Sequence, residues 1–312
     1  MWFLNNYCRS KTRLIGKTVV ITGANCGIGK EAAKDFYRRG ARVLLACRDV
    51  SKAEQAMDDI KQSTPRASNE LVEEPGELAI CQLDLTSISS VKDCAQRLLS
   101  TEPSIHILVN NAGVFWHPLE ITQDGFETHF QVNYLGHFLL TYLLLPKMKQ
   151  SAPGCRIINV SSVAHKYGDI YFEDLNLEHS YSPFKAYCQS KLANVLFTNE
   201  LACRFKEAKI DGIKVYSLHP GVVKTDISRY MGANILCGVS VFFQVFGPFM
   251  KTAEQGAQTT IHCAVDENAG TETGLYYDNC RVTRAARKVY DSEYSARLWK
   301  HSCEILDLSP EI

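Results

Sequence analysis

The chain has 312 residues, with 34 Lys+Arg balanced by 34 Asp+Glu and a hydrophobic share of 46%. This is an ordinary globular composition, and it excludes disordered and collagen-like classes. Zero formal charge removes the broad electrostatic case for a nucleic-acid partner and the simplest case for an anionic membrane surface.

Short apolar runs alternate with helical stretches from Lys17 to about Gly221. Thr18–Ile21, Arg42–Ala46, Leu78–Leu83, Ile105–Asn110, Arg156–Val160 and Lys214–Leu218 are predicted strands. Helices are predicted over Gly29–Arg39, Ser51–Gln62, Ile88–Leu99, Gly125–Leu145 and Ala186–Lys206, with Gly40 closing the first as a left-handed cap. The strands lack polar alternation, so the expectation is an α/β fold with a doubly wound parallel sheet covered on both faces, a single Rossmann domain. Residues 1–16 read as a lead-in and residues 17–312 as that one domain. It would include an apolar substrate lid over about 226–255 and a C-terminal helix over about 291–306 that puts Tyr294, Leu298 and Ile305 on one side. Ser63–Glu77, with two prolines and four glutamates, reads as a solvated surface loop.

The first strand runs into Thr22-Gly23-Ala24-Asn25-Cys26-Gly27-Ile28-Gly29, which then opens a helix. Glycines permit a sharp turn and close backbone approach, while the helix N-terminus offers free N–H groups to a pyrophosphate. The spacing is G-x-x-x-G-x-G rather than the usual dinucleotide fingerprint. Asn110-Asn111-Ala112-Gly113, Ser162, Tyr187-x-x-x-Lys191 and Pro220-Gly221 follow in order. With these five motifs, from about Lys17 to Cys280, the chain resembles the short-chain dehydrogenase/reductase family.

That resemblance implies a catalytic set of Asn133, Ser162, Tyr187 and Lys191. Tyr187 would exchange a proton with the substrate oxygen, with Lys191 beside it and Asn133 carrying a water to the lysine. Residue chemistry agrees. Tyr187 and Lys191 lie four apart on one helix face, and an ammonium stabilises a phenolate. Ser162 can donate to a developing alkoxide, while Ser161 points elsewhere by strand periodicity. The resemblance places cofactor contacts at Gly23, Asn25, Gly27, Ile28, Gly29 and Arg48, and at Asp84 and Leu85. Asn111, Ala112 and Gly113, Tyr187 and Lys191, and Pro220, Gly221, Val223 and Thr225 complete them.

The second strand ends at Cys47-Arg48, where an NAD-preferring enzyme would carry a carboxylate. A guanidinium grips a 2′-phosphate, so the expected cofactor is NADP(H), and Asp49 is read as a helix cap. Asp84 would hold the adenine amino group or cap the next helix. The long interval between Ser162 and Tyr187 adds His165–Pro183, expected to form one wall of a substrate pocket.

The twelve cysteines contain no C-x-x-C pair, the nine histidines show no H-E-x-x-H, and Met1–Ser10 lacks the features of a signal peptide. Reduced thiols in a cytosol-facing protein, with no metal site, are therefore expected. Gly125–His129, Asn133–Thr141 and Tyr187–Phe197 are similar to the microsomal retinol dehydrogenase group. This likeness implies a small lipophilic substrate, retinol/retinal first. Steroid, quinone or lipid-aldehyde reduction, and a non-catalytic NADP-binding sensor, are the alternatives. Members of that group commonly carry an N-terminal anchor, whereas no stretch here reaches ~18–20 uninterrupted apolar residues. Peripheral contact with the endoplasmic reticulum membrane through the apolar segment 233–250 is the expected substitute, and a homo-oligomer is allowed.

Overall fold

The computed structural model describes residues 6–64, 74–223 and 250–312. An eight-stranded sheet runs in the order β3-β2-β1-β4-β5-β6-β7-β8. The strands are β1 (Thr18–Thr22), β2 (Arg42–Cys47), β3 (Glu77–Gln82), β4 (Ile107–Asn110), β5 (Cys155–Val160), β6 (Ile213–His219), β7 (Leu275–Asp278) and β8 (Arg281–Val282). All neighbours pair in parallel except β7 and β8, which form an antiparallel edge hairpin that the strand pattern did not announce. The expected single α/β domain with a doubly wound, mostly parallel sheet is what the chain forms.

Side-chain alternation divides the interior in two. Val19 and Ile21 of β1, Ile107 and Val109 of β4 and Ile158 of β5 face one core, shared with α1 (Gly27–Arg38), α2 (Val50–Gln62) and a later helix, Ala253–Val265. Val20, Leu108 and Ile157 face the other, shared with α3 (Ile88–Thr101) and three longer helices. Because both faces are covered, both phases of each strand are apolar, which is why the sequence shows runs rather than alternation. Gly40, at φ +87°, closes α1 as expected, with the Gly40 and Ala41 N–H groups donating back to Tyr37 and Phe36.

The fourth helical segment differs most from expectation. A helix was predicted from Gly125 to Leu145. The chain instead starts with a short turn, α4 (Thr128–Phe130), capped by the Glu127 carboxylate. It then widens into a π-helical turn, Gln131–Leu135, and continues as α5 (Gly136–Ser151). The Gly136 N–H bonds to the Gln131 carbonyl across this widened turn. The remaining helices are α6 (Pro183–Glu207), α7 (Ala253–Val265) and α8 (Ser292–Leu306). Residues 253–255, assigned to the lid, belong to α7, and 224–249 lie outside the described residues.

α8 docks the C-terminus onto this half of the molecule. Trp299, fully buried, meets Phe138 at 4.9 Å and Phe197 at 6.0 Å, with the Arg204 guanidinium 4.6 Å over its ring. Tyr134, in the π turn, hydrogen-bonds Ser302 of α8 at 2.7 Å. Leu298 is buried, and Tyr294 and Ile305 pack on the same core, as their spacing predicted. Truncating Trp299 removes a large ring from a packed site, so Trp299→Ala should cost about 3–5 kcal/mol. Urea unfolding monitored by circular dichroism checks this; a loss below about 1 kcal/mol would show that α8 is not integral to the core.

Candidate active site

The glycine turn joins β1 to α1, and its geometry leaves space for nothing larger than glycine at two positions. A Cβ on Gly29 would stand 2.5 Å from the Gly23 carbonyl oxygen and 2.5 Å from Asn111 Nδ2. Gly23 is at φ +65° and Gly27 at φ +55°. Cys26 caps α1 with no side-chain hydrogen bond, so the first N–H groups of the helix remain available to an incoming oxyanion.

Beside this turn lies a cleft of about 900 Å³. It is lined by Gly23, Asn25, Gly27, Ile28 and Gly29 from the turn, by Arg48 just after β2, by Asp84 and Leu85 after β3, and by Asn111, Ala112 and Gly113 after β4. Eleven of the expected cofactor positions are thus brought to one surface. They lie where β1 and β4 adjoin and the strand order reverses, the place where α/β sheets open a ligand crevice. Val223 closes on the same region from another side, since a Cβ on Gly256 would meet Val223 Cγ2 at 2.7 Å and Ile28 Cγ1 at 3.1 Å. Gly221, at φ +94°, packs under the Lys251 side chain, and Pro220 precedes it after β6. Thr225 lies outside the described residues.

Several assignments are refined by partners. Arg48 is exposed and, among the described residues, makes no ion pair, while Asp49 caps α2 by accepting the Lys52 N–H at 3.0 Å. Asp84 does not cap α3. Its Oδ1 accepts the Thr86 N–H at 2.9 Å and the Thr86 hydroxyl at 2.7 Å, and Ser87 is the cap. The Asn111 amide donates to the Thr22 carbonyl at 2.8 Å, so it braces the turn.

Ser162, Tyr187 and Lys191 sit apart from the cleft's lining and join it past Gly113. Lys191 Nζ stands 3.5 Å from where a Gly113 Cβ would be, and Asn133 Oδ1 stands 3.1 Å from the same point. Tyr187 and Lys191 project from α6 as the spacing required, with Nζ 5.6 Å from the phenol ring centre. Lys191 is only 3% exposed and donates to the Val160 carbonyl at 3.0 Å. Burial brings its ammonium down to about 8. Burial also pushes the Tyr187 phenol up to about 12, against the opposing effect of its hydrogen bond with Ser162. Ser162 Oγ accepts the Ala164 N–H at 3.2 Å, which leaves the hydroxyl proton free to be donated. Ser161 turns away and donates to the Lys191 carbonyl at 2.7 Å.

Asn133 is fully buried in the π turn. Its Oδ1 accepts the Val114 N–H at 2.8 Å, and its Nδ2 donates to the Val114 carbonyl at 3.1 Å and to Ser190 Oγ at 2.9 Å. The side chain therefore anchors the segment after Gly113. Its carbonyl receives the His137 ring at 3.1 Å.

Two histidines near the site were given no role in the sequence. His137 and His165 are each pressed down to about 4 by burial and are therefore neutral. His165 Nδ1 donates to the Ser162 carbonyl at 2.6 Å, and its Nε2 accepts the Ala286 N–H at 3.0 Å. The segment His165–Pro183, expected as a pocket wall, is held mainly by other elements. Phe172 packs on Tyr294 of α8 at 5.6 Å, and the Tyr171 N–H donates to Gln189 of α6. His165, at its start, meets Ser162, and Tyr181, near its end, donates to the His117 carbonyl at 2.6 Å.

A family model described as short chain dehydrogenase matches residues 17–235. The chain belongs to the short-chain dehydrogenase family. It is 46% identical to human (Homo sapiens) retinol dehydrogenase 12 over 307 residues, covering 98% of this chain and 92% of the relative. Identity to human retinol dehydrogenase 11 is 44%, covering 96% of this chain and 89% of the relative. For Mus musculus retinol dehydrogenase 13 it is 44%, covering 97% and 87%. Among solved structures, a protein of Mycobacterium paratuberculosis superposes with a TM-score of 0.76 at 30% identity, covering 99% of this chain and all of that one. This short-chain dehydrogenase is therefore an oxidoreductase with a Rossmann fold, similar along nearly its whole length to retinol dehydrogenases.

The buried lysine makes stability depend on pH. Its folded-state value, about 8, lies below the ordinary 10.5, so between these pH values the unfolded chain holds the proton more tightly. Stability should rise from pH 8 to 10.5, and below pH 8 the fold bears the full cost of the buried charge. Lys191→Met should raise the urea midpoint at pH 7 and flatten that rise. A midpoint that falls at pH 7 would contradict this account.

Proposed function

We propose that the protein is an NADP(H)-dependent oxidoreductase that interconverts a lipophilic alcohol and its carbonyl, retinol and retinal being the first candidates, with Tyr187 as the acid/base. The convergence of the Tyr187 phenol, the Ser162 hydroxyl and the buried Lys191 ammonium past Gly113 carries this reading. The substrate class comes from the 43–46% identity to retinol dehydrogenases. A bound nicotinamide dinucleotide would supply or accept the hydride.

The residues present suit that cofactor. Gly23 and Gly29 permit close backbone approach, and the open N-terminus of α1 favours a pyrophosphate. Arg48 stands at the end of β2, where Cys47 replaces the carboxylate that would repel a 2′-phosphate.

The chemistry of the chain's own groups follows from burial. A phenol pushed up to about 12 is protonated at neutral pH, which suits donation to a carbonyl oxygen during reduction. Ser162, with one lone pair taken by the Ala164 N–H, can donate its proton to the same oxygen and stabilise the growing charge. Lys191 is largely protonated at neutral pH, because its value near 8 lies above 7. Its charge favours the phenolate left behind until a proton returns. Asn133 holds the Val114 segment, and through it Gly113, against this cluster.

No helix among the described residues is long and apolar enough to cross a membrane. The proposed peripheral contact with the endoplasmic reticulum membrane rests on the apolar sequence 233–250, which lies almost wholly outside the described residues.

Tyr187→Phe should lower kcat for NADPH-driven reduction of all-trans-retinal by about 10²–10⁴ with the fold intact. Retention of more than a tenth of wild-type turnover would exclude the phenol as the proton donor. Arg48→Ala should raise KM for NADPH about tenfold or more and leave KM for NADH within about twofold. Equal turnover with NADH and an unmoved NADPH KM would assign NAD(H) instead. A panel of all-trans-retinal, medium-chain aldehydes and ketosteroids separates the retinoid reading from other lipophilic carbonyls.

A further inference from the structure

A buried acid–base pair flanks the Tyr187 ring outside the Ser162–Tyr187–Lys191 cluster. Glu127 and His129 are both fully buried and joined by a 2.7 Å hydrogen bond between Nδ1 and Oε1. The same carboxylate accepts the backbone N–H groups of His129 at 2.9 Å and Phe130 at 2.8 Å, so three donors hold its charge. His129 Nε2 accepts the His117 N–H at 3.2 Å. That partner fixes the tautomer: Nδ1 carries the proton and the ring is neutral.

The His117 carbonyl is taken by the Tyr181 hydroxyl at 2.6 Å, so both main-chain groups of His117 are clamped by side chains from other segments. The residue before it, Trp116, is held at φ +57°, a left-handed conformation strained for a bulky side chain. Such strain persists only where the surroundings over-determine the backbone, and here the clamp on His117 does so. The consequence falls on Phe115. Its ring meets Tyr187 edge-on at 4.7 Å and Trp116 at 5.5 Å, and the His129 ring itself lies 6.3 Å from Tyr187.

We propose that the Glu127–His129 pair positions an aromatic wall, Phe115 backed by Trp116, that makes the Tyr187 site select planar conjugated carbonyls over saturated chains of equal length. This inference rests on the oxidoreductase reading above and adds to it what the site recognises. An apolar wall free to move would accept any lipophilic chain. A fixed aromatic edge and face reward a rigid π system, because aromatic contacts depend on ring geometry as well as on buried area. His129 acts here through the backbone of His117 and is a positioning residue.

The test compares kcat/KM for all-trans-2,4-decadienal and decanal, with NADPH, in the full-length protein. Their intrinsic reactivities cancel when each variant's ratio is divided by that of wild type. Phe115→Leu and His129→Leu should each lower the dienal-to-decanal ratio about three- to tenfold, chiefly through KM for the dienal. His129→Gln, whose Oε1 can still accept the His117 N–H, should keep the ratio within about twofold of wild type. An unmoved ratio in Phe115→Leu overturns the inference. So does a His129→Leu effect that falls equally on both aldehydes, since a merely structural strut would behave so. If His129→Leu fails to fold, Phe115→Leu decides, because that side chain is only partly buried. Turnover with an unmoved ratio removes this inference alone, whereas wild-type protein inactive on every carbonyl removes the oxidoreductase reading with it.

Discussion

The close approach of the backbone at the ends of β1 and β4 governs the rest of the molecule. Thr22 Oγ1 accepts the N–H groups of both Asn111 and Ala112 at 2.9 Å, and Asn111 Nδ2 returns a bond to the Thr22 carbonyl at 2.8 Å. These bonds draw the two loops together until a Cβ on Gly23 would sit 3.0 Å from Ala112 Cα. The glycines at positions 23 and 29 are therefore a spatial requirement before they are a binding one. Because the strand order reverses at this pair, the loops diverge immediately beyond their contact, and the cleft is the space they leave.

The same threonine links the glycine turn to the other half of the site. His137 Nε2 lies 2.8 Å from Thr22 Oγ1, and His137 Nδ1 lies 3.1 Å from the Asn133 carbonyl. Thr22 Oγ1 already accepts two N–H groups, so its own proton goes to Nε2, and Nδ1 carries the ring proton to Asn133. Burial supports this by keeping the ring neutral, with a value near 4. A charged imidazole could not accept from Thr22. The π-helical turn belongs to this arrangement, since it carries Asn133 beside Val114 while Tyr134 is fastened to Ser302. A widened turn of this kind is a common mark of a functional position.

Strands, helices and the order of motifs were legible in the sequence because each rests on local rules. Two apolar phases in Thr18–Ile21 imply a covered strand, and four-residue spacing puts Tyr187 and Lys191 on one helix face. What stayed hidden depends on partners distant in the chain. Asp84 and Ser87 are both competent caps, and only the three-dimensional course of the chain after β3 assigns the cap to Ser87. The stretch Gly125–His129 looked distinctive, yet nothing local shows that Glu127 and His129 are buried together or that His117 is their client. The aromatics of His165–Pro183 suggested a pocket wall, but Phe172 is claimed by α8, whose docking could not be read from spacing. β8 contributes two residues, too short a run to carry a periodic signal.

The electrostatics of the site follow from one asymmetry. Lys191 is buried with a carbonyl for a partner and, among the described residues, with no carboxylate in an ion pair. An ammonium in that position is unfavourable by itself, which is why burial lowers it to about 8. The penalty shrinks whenever negative charge develops nearby, and the Tyr187 phenol, its ring centre 5.6 Å from Nζ, is a group able to develop it. By linkage the effect is mutual: phenolate formation strengthens the lysine's hold on its proton, and a protonated lysine eases phenolate formation. Pairing Lys191 with a carboxylate would improve the stability of the resting protein but spend its charge before the phenol could use it. An uncompensated buried cation therefore costs stability in the resting fold, and in the proposed reaction it would matter most when Tyr187 gives up its proton.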